Sequence, residues 1–103
     1  MVTVVVTFEL PPGVEVGKVV DTFRAGTQKW AAKEGLLAKY YLVSEQARSA
    51  GGVYVWRSRA AADAVFAQGF VERITKKYGA APTVAYFDTP IAIDNRAGTV
   101  ELF

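Results

Sequence analysis

The 103-residue chain contains no cysteine and no histidine. Without cysteine there is no disulfide and no thiol nucleophile, and without histidine there is no Ser-His-Asp triad, imidazole-bound zinc or histidine-ligated haem. The acidic residues are scattered singly, and no glycine-rich phosphate-binding motif is present. We therefore predict a protein without metal, flavin, haem or any other cofactor.

The chain also has no large excess of either basic or acidic residues and no long apolar run. Twelve basic residues against ten acidic ones leave a net charge of +2, which is too small to expect nucleic acid binding. No stretch reaches the ~18 consecutive apolar residues of a membrane span, and the amino-terminal segment lacks the basic region of a signal peptide. We expect a cytoplasmic protein that binds neither nucleic acid nor a membrane.

The composition is that of a folded domain. The chain is 51% hydrophobic and 21% charged, which excludes intrinsic disorder and a coiled coil. Its length fits a single domain of ~100–150 residues. We place this domain at residues 1–88 and treat residues 89–103 as a carboxy-terminal arm.

The apolar pattern alternates between strands and helices. Residues 2–9 are rich in β-branched side chains and end before two prolines and a glycine, which predicts a strand. Apolar residues spaced three or four apart from Val16 to Trp30 predict one helix, with Gly35 after its end. Residues 36–44 and 53–56 predict two further strands in a hairpin.

A second helix and a fourth strand complete the domain. Ser58 is positioned to cap a helix that continues to Gly79, and residues 83–87 form the last β-type run. The order β-α-β-β-α-β predicts an α+β, ferredoxin-like antiparallel sheet with two helices on one face. RNA binding by this topology would need aromatic residues on the first and third strands at positions that this chain does not fill.

The predicted strands carry apolar residues at odd and even positions alike, and therefore on both faces of the sheet, as in Tyr40-Tyr41-Leu42-Val43. The sheet face away from the helices should then expose an apolar surface that needs a cover, and a second copy of the chain is the simplest one. The alternative is that these runs reflect β propensity alone. The apolar arm should pack on the domain or on the partner subunit.

The segments Gly35-Leu36-Leu37-Ala38-Lys39-Tyr40-Tyr41 and Gly51-Gly52-Val53-Tyr54-Val55-Trp56 resemble the YdhR-like monooxygenases of the dimeric α/β-barrel superfamily. The Ser44-Glu45 pair and the following helix extend the resemblance to residues 35–88. It implies a homodimer with a pocket between sheet and helices. It also implies oxygenation of a small aromatic or polyketide-like compound without a cofactor. The superfamily's haem-degrading members hold iron through a histidine that is absent here, so that subclass is excluded.

Two residues are candidates for catalysis. If residues 45–51 form the turn, Tyr41 pairs with Tyr54 and Lys39 with Trp56, which puts all four side chains on one sheet face. The Lys39 ammonium could stabilise a phenolate or an enolate-like anion, or it could simply extend to water. Tyr54 is the second candidate, as an acid or base, unless it is a core residue whose hydroxyl is hydrogen-bonded.

An aromatic wall is the candidate binding surface for a small aromatic ligand. Its members are Phe23, Trp30, Tyr41, Trp56, Phe66, Phe70 and Tyr86. Rings at helical spacing also suit an ordinary core, and the face that carries Lys39 could instead be the dimer interface. The basic residues around the second helix are interpreted as a solvated face, namely Arg57, Arg59, Arg73, Lys76 and Lys77. The two functional hypotheses are a cofactor-independent monooxygenase and a non-catalytic ligand-binding or stress-related dimer.

Overall fold

The computed structural model describes every residue from Met1 to Phe103. It contains a four-stranded antiparallel sheet, four short helices and a separate two-stranded hairpin. In chain order the elements are β1 (Val2–Glu9), α1 (Val16–Ala25), α2 (Thr27–Ala31), β2 (Leu36–Ser44), β3 (Ser49–Trp56), α3 (Arg59–Phe66), α4 (Phe70–Tyr78), β4 (Thr83–Asp88), β5 (Ile91–Asp94) and β6 (Thr99–Leu102).

The sheet has the strand order β2-β3-β1-β4, and the helices cover one of its faces. Along β1, buried side chains at Val2, Val4 and Val6 alternate with more exposed ones, as expected for a sheet with one covered face. The buried side chains meet Phe66 and Phe70 from the helix layer. This arrangement confirms the ferredoxin-like α+β fold.

Each predicted helix is divided into two shorter ones, so the prediction of two continuous helices was wrong. The first ends at Ala25, and a turn at Gly26 precedes α2. The second ends its first part at Phe66, and Gly69, which has a positive φ of 77°, precedes α4. Glycine favours both breaks because it is a poor helix former, and at Gly69 it also adopts the left-handed region easily. Apolar periodicity did not reveal them because the apolar residues keep helical spacing across each break, from Phe23 to Trp30 and from Phe66 to Phe70.

The hairpin between β2 and β3 is also tighter than predicted. The turn occupies residues 45–48, and Gly51 lies inside β3 rather than in the loop. A β-carbon at Gly51 would lie 1.8 Å from the carbonyl oxygen of Val6, so this glycine is required by the contact with β1.

The strand register accordingly differs from the predicted one. Lys39 pairs with Tyr54, and Trp56 pairs with Leu36 beyond a bulge. The pairing of Lys39 with Trp56 and of Tyr41 with Tyr54 was therefore wrong. Because the error is two residues and the side-chain period of a strand is two, all four side chains still share one face. That face is the one covered by the helices.

The opposite sheet face and the arm leave apolar side chains exposed. Tyr40, Leu42 and Phe87 lie on the uncovered face, and Phe87 is 55% exposed. In the arm, β5 and β6 form a hairpin with Ile91 opposite Leu102 and Ile93 opposite Val100. These four side chains are all exposed, so they do not pack on the domain of their own chain.

Every helix is too short or too polar to cross a bilayer. The cytoplasmic location stays a prediction.

Candidate functional site

A cavity of about 240 Å³ lies between the sheet and the helices. Its floor includes Val6 of β1 and Tyr54 of β3, with Lys39 and Tyr41 contributed by β2. Six of the residues predicted for the site line this cavity: Phe23, Trp30, Lys39, Tyr41, Tyr54 and Phe70. The fold therefore brings both catalytic candidates and four of the aromatic candidates to one place.

The amine of Lys39 is enclosed by three aromatic rings. Its Nζ atom lies 3.7 Å from the centroid of Trp30, 4.0 Å from that of Tyr41 and 4.5 Å from that of Tyr54. Trp30 comes from α2, whereas the two tyrosines come from the sheet. Ring faces attract a cation, so this cage holds the charged amine in the cavity.

Burial lowers the pKa of Lys39 to about 7, and the positive charges of Lys29 and Lys77 contribute to the decrease. The three ring faces act in the opposite direction because they stabilise the ammonium form. An amine with such a pKa is partly neutral at physiological pH. Lys39 can therefore accept a proton from a bound ligand, which an ordinary lysine seldom can.

The tyrosines of the cavity keep their protons. Burial raises the pKa of Tyr54 far above its usual value, and burial also raises the pKa of Tyr41 and of Tyr78. Tyr54 therefore does not supply the depressed pKa that a tyrosine base would need. Its hydroxyl can act as a hydrogen-bond donor, and its ring forms part of the cage.

Three of the predicted binding residues do not line the cavity: Trp56, Phe66 and Tyr86. Trp56 has no exposed surface and lies in the core beside Phe66, 5.8 Å between ring centroids. Tyr86 on β4 contacts Phe66 and the Arg59 guanidinium, which lies 4.2 Å from its ring centroid. Trp56 and Phe66 are buried in the core and Tyr86 is half-buried against it, so a role of these three side chains in ligand binding stays a prediction.

The structure adds residues that sequence reasoning missed. Tyr78 of α4 lines the cavity and its ring lies 6.0 Å from that of Phe23. Basic side chains also reach the cavity, namely Lys29, Lys33, Arg73 and Lys77. Arg73, Lys76 and Lys77 are all exposed, as predicted, and of these Arg73 and Lys77 also border the cavity whereas Lys76 does not. Nothing in the sequence distinguishes Lys77 from Lys76 before the path of the helix is known.

No three Asp or Glu side chains converge in a way that could hold a metal ion. The absence of a cofactor stays a prediction.

A family model described as "Putative mono-oxygenase ydhR" matches residues 4–89. The chain belongs to this family of mono-oxygenases. The matched range contains every candidate site residue and ends where the arm begins. A comparison with proteins of curated function finds no significant match.

Solved structures with the same fold include two oxygenases and a protein of unknown function. NE2512 from Nitrosomonas europaea, a protein of unknown function, superposes with a TM-score of 0.72 at 16% identity, over 88% of this chain and 90% of its own. ActVA-Orf6 from Streptomyces coelicolor, a monooxygenase in complex with nanaomycin D, gives 0.67 at 21% identity over 89% of each chain. SnoaB, a cofactor-independent oxygenase from Streptomyces nogalater, gives 0.64 at 20% identity over 85% of this chain and 91% of its own. At these identities the likeness shows the fold.

Proposed function

We propose that this protein is a homodimeric, cofactor-independent monooxygenase that oxidises a small aromatic or polyketide-like compound in the cavity between sheet and helices. The observation that carries the proposal is the position of Lys39, whose amine is caged by three rings in a cavity and has a pKa of about 7. Two structural neighbours support this chemistry. SnoaB is a cofactor-independent oxygenase, and ActVA-Orf6 is a monooxygenase in complex with nanaomycin D.

The reaction begins with proton transfer. The neutral Lys39 amine takes a proton from an acidic C–H group or a phenolic O–H group of the substrate, and the resulting ammonium stabilises the enolate-like anion or phenolate that forms. The anion transfers an electron to dioxygen, and recombination forms a carbon–oxygen bond. Conversion of a CH₂ group to a carbonyl, or of a phenol to a quinone, consumes one dioxygen, keeps one oxygen atom and releases the other as water. The reaction therefore balances without an external reductant.

The cavity favours a compact, flat substrate. Its volume of about 240 Å³ is below the roughly 300–1,000 Å³ of most ligand sites. The rings of Phe23, Tyr54 and Phe70 supply apolar contact surface for an aromatic ligand, and they keep bulk water away from the anion.

The homodimer is supported by the exposed apolar surface. The uncovered sheet face carries Tyr40, Leu42 and Phe87, and the β5–β6 hairpin presents a face made only of apolar side chains. Contiguous apolar surface of this kind marks an interface in soluble proteins. We place a second copy of the chain on the sheet face and the arm of each chain on its partner.

Oxygen uptake tests the proposed reaction. The purified protein is incubated with hydroxylated anthrones, naphthols and flavonoid-like phenols, with anaerobic samples as controls. We expect uptake with at least one of these compounds, and a loss of about a hundredfold or more in Lys39→Met, which keeps most of the apolar stem. Lys76→Met on the outer side of α4 should retain full activity. Ligand binding without uptake would contradict the proposal and favour the non-catalytic binding dimer.

A further inference from the structure

Positively charged side chains are concentrated around the cavity. Five of the twelve basic residues of the chain line it, which are Lys29, Lys33, Lys39, Arg73 and Lys77. None of the lining residues is acidic. Since the net charge of the whole chain is only +2, this concentration is a local property of the site.

The acidic residues of the protein do not neutralise these cations. The two ion pairs of the chain are Arg24 with Asp21 and Arg59 with Asp63, and neither includes a residue of the cavity. Lys29 and Lys33 instead lie over the Trp30 ring, with Nζ atoms at 5.7 and 5.6 Å from its centroid. Like charges that face one cavity repel each other, so the site favours a bound anion.

We propose that the substrate is an aromatic anion, a flat ring compound that carries a carboxylate in addition to its oxidisable position. This inference rests on the proposed function and specifies its substrate class. The ring lies in the apolar part of the cavity against Tyr54 and Phe70, and the carboxylate lies among the lysines contributed by α2 and α4. There it forms charge-assisted hydrogen bonds with the ammonium groups.

Binding measurements with three related probes test the charge requirement. The probes are 3-hydroxy-2-naphthoate, its neutral methyl ester and 2-naphthol, titrated anaerobically by calorimetry so that no turnover occurs. We expect the acid to bind about tenfold or more tightly than the ester, because only the acid has a negative charge for the lysines. The affinity of the acid should fall between 50 and 500 mM salt, while that of the ester should not.

A pair of adjacent lysines provides the matched control. Lys77→Gln should weaken binding of the acid about three- to tenfold and leave the ester unchanged, whereas Lys76→Gln should affect neither. Equal affinities for acid and ester, or equal effects of the two substitutions, would overturn the proposal. Because the assay needs no dioxygen, it separates the two hypotheses: a preserved preference for the acid without any oxygen uptake would overturn the monooxygenase and leave the anion site standing.

Discussion

The Nζ atom of Lys39 lies over the face of Trp30, 3.7 Å from the ring centroid. This contact joins the two layers of the fold, because Lys39 belongs to β2 and Trp30 to α2. It holds the amine inside the cavity, away from the water that a lysine side chain normally reaches. The position of the amine, together with its low pKa, determines how the protein should respond to pH.

Oxygenase activity should increase with pH through the titration of Lys39. The base must be neutral, and its pKa is about 7, so kcat/KM should rise between about pH 6 and 8 and then level off. Lys29→Gln removes a positive charge that repels the Lys39 ammonium. Its removal therefore stabilises the ammonium and raises the pKa of Lys39. The rising limb should then move to higher pH, by less than one unit because burial, the larger cause, is unchanged.

Lys76→Gln serves as the control for this pH profile, since Lys76 does not line the cavity. A rising limb that stays in place in Lys29→Gln, or that moves equally in both variants, would show that the limb belongs to another group.

Trp56→Ala should destabilise the fold by about 3–5 kcal/mol, because the indole is completely buried against Tyr54 and Phe66. Trp56→Phe should cost far less, because it keeps most of the packing and removes an indole Nε1 that has no hydrogen-bond partner. Urea denaturation of both variants measures the two free energies of unfolding. A loss below about 1 kcal/mol in Trp56→Ala would show that Trp56 is not a core residue.

The fold was predictable because it depends on the order of strands and helices, and errors in strand register or helix continuity do not change that order. The register of β2 against β3 was wrong by two residues, yet Lys39 and Tyr54 were correctly placed on one face, since an even shift preserves side-chain parity. The helix breaks at Gly26 and Gly69 were not predictable from periodicity. The position of Lys77 at the cavity was missed for a related reason: an exposed charged residue on a helix has the same pattern whether or not it borders a cavity.

Two glycines in different settings should respond in opposite ways to alanine. Gly51→Ala should destabilise the protein by about 3 kcal/mol or more, because the new β-carbon would collide with the Val6 carbonyl oxygen. Gly17 lies in α1, and a β-carbon added there would have no heavy atom within 4 Å, so Gly17→Ala should stabilise by about 0.5–1 kcal/mol. Thermal and urea denaturation compare the two variants. A stable Gly51→Ala protein would contradict the described packing of β3 on β1.

The arm offers a direct test of the homodimer. Val100 lies on the apolar face of the β5–β6 hairpin, and its neighbour Thr99 points to the opposite face. Val100→Asp would bury a charge in the proposed interface and should shift the protein toward monomers, whereas Thr99→Asp should leave it dimeric. Sedimentation equilibrium at micromolar concentration measures both variants. A monomeric wild-type protein would refute the dimer, and a dimeric Val100→Asp protein would refute the role of the arm.

Binding of an aromatic anion should be accompanied by proton uptake. Burial lowers the pKa of Lys39 to about 7, and repulsion of its charged form by Lys29 and Lys77 contributes to the decrease. A bound carboxylate offsets this repulsion, so the pKa of Lys39 rises and the amine takes up roughly half a proton at about pH 7.5. At about pH 5.5 the uptake should disappear, because the amine is already protonated before the ligand binds. Calorimetry of 3-hydroxy-2-naphthoate in buffers of different ionisation enthalpy measures the number of protons. Lys39→Met should show no uptake, and the same uptake in that variant would assign the proton to a different group.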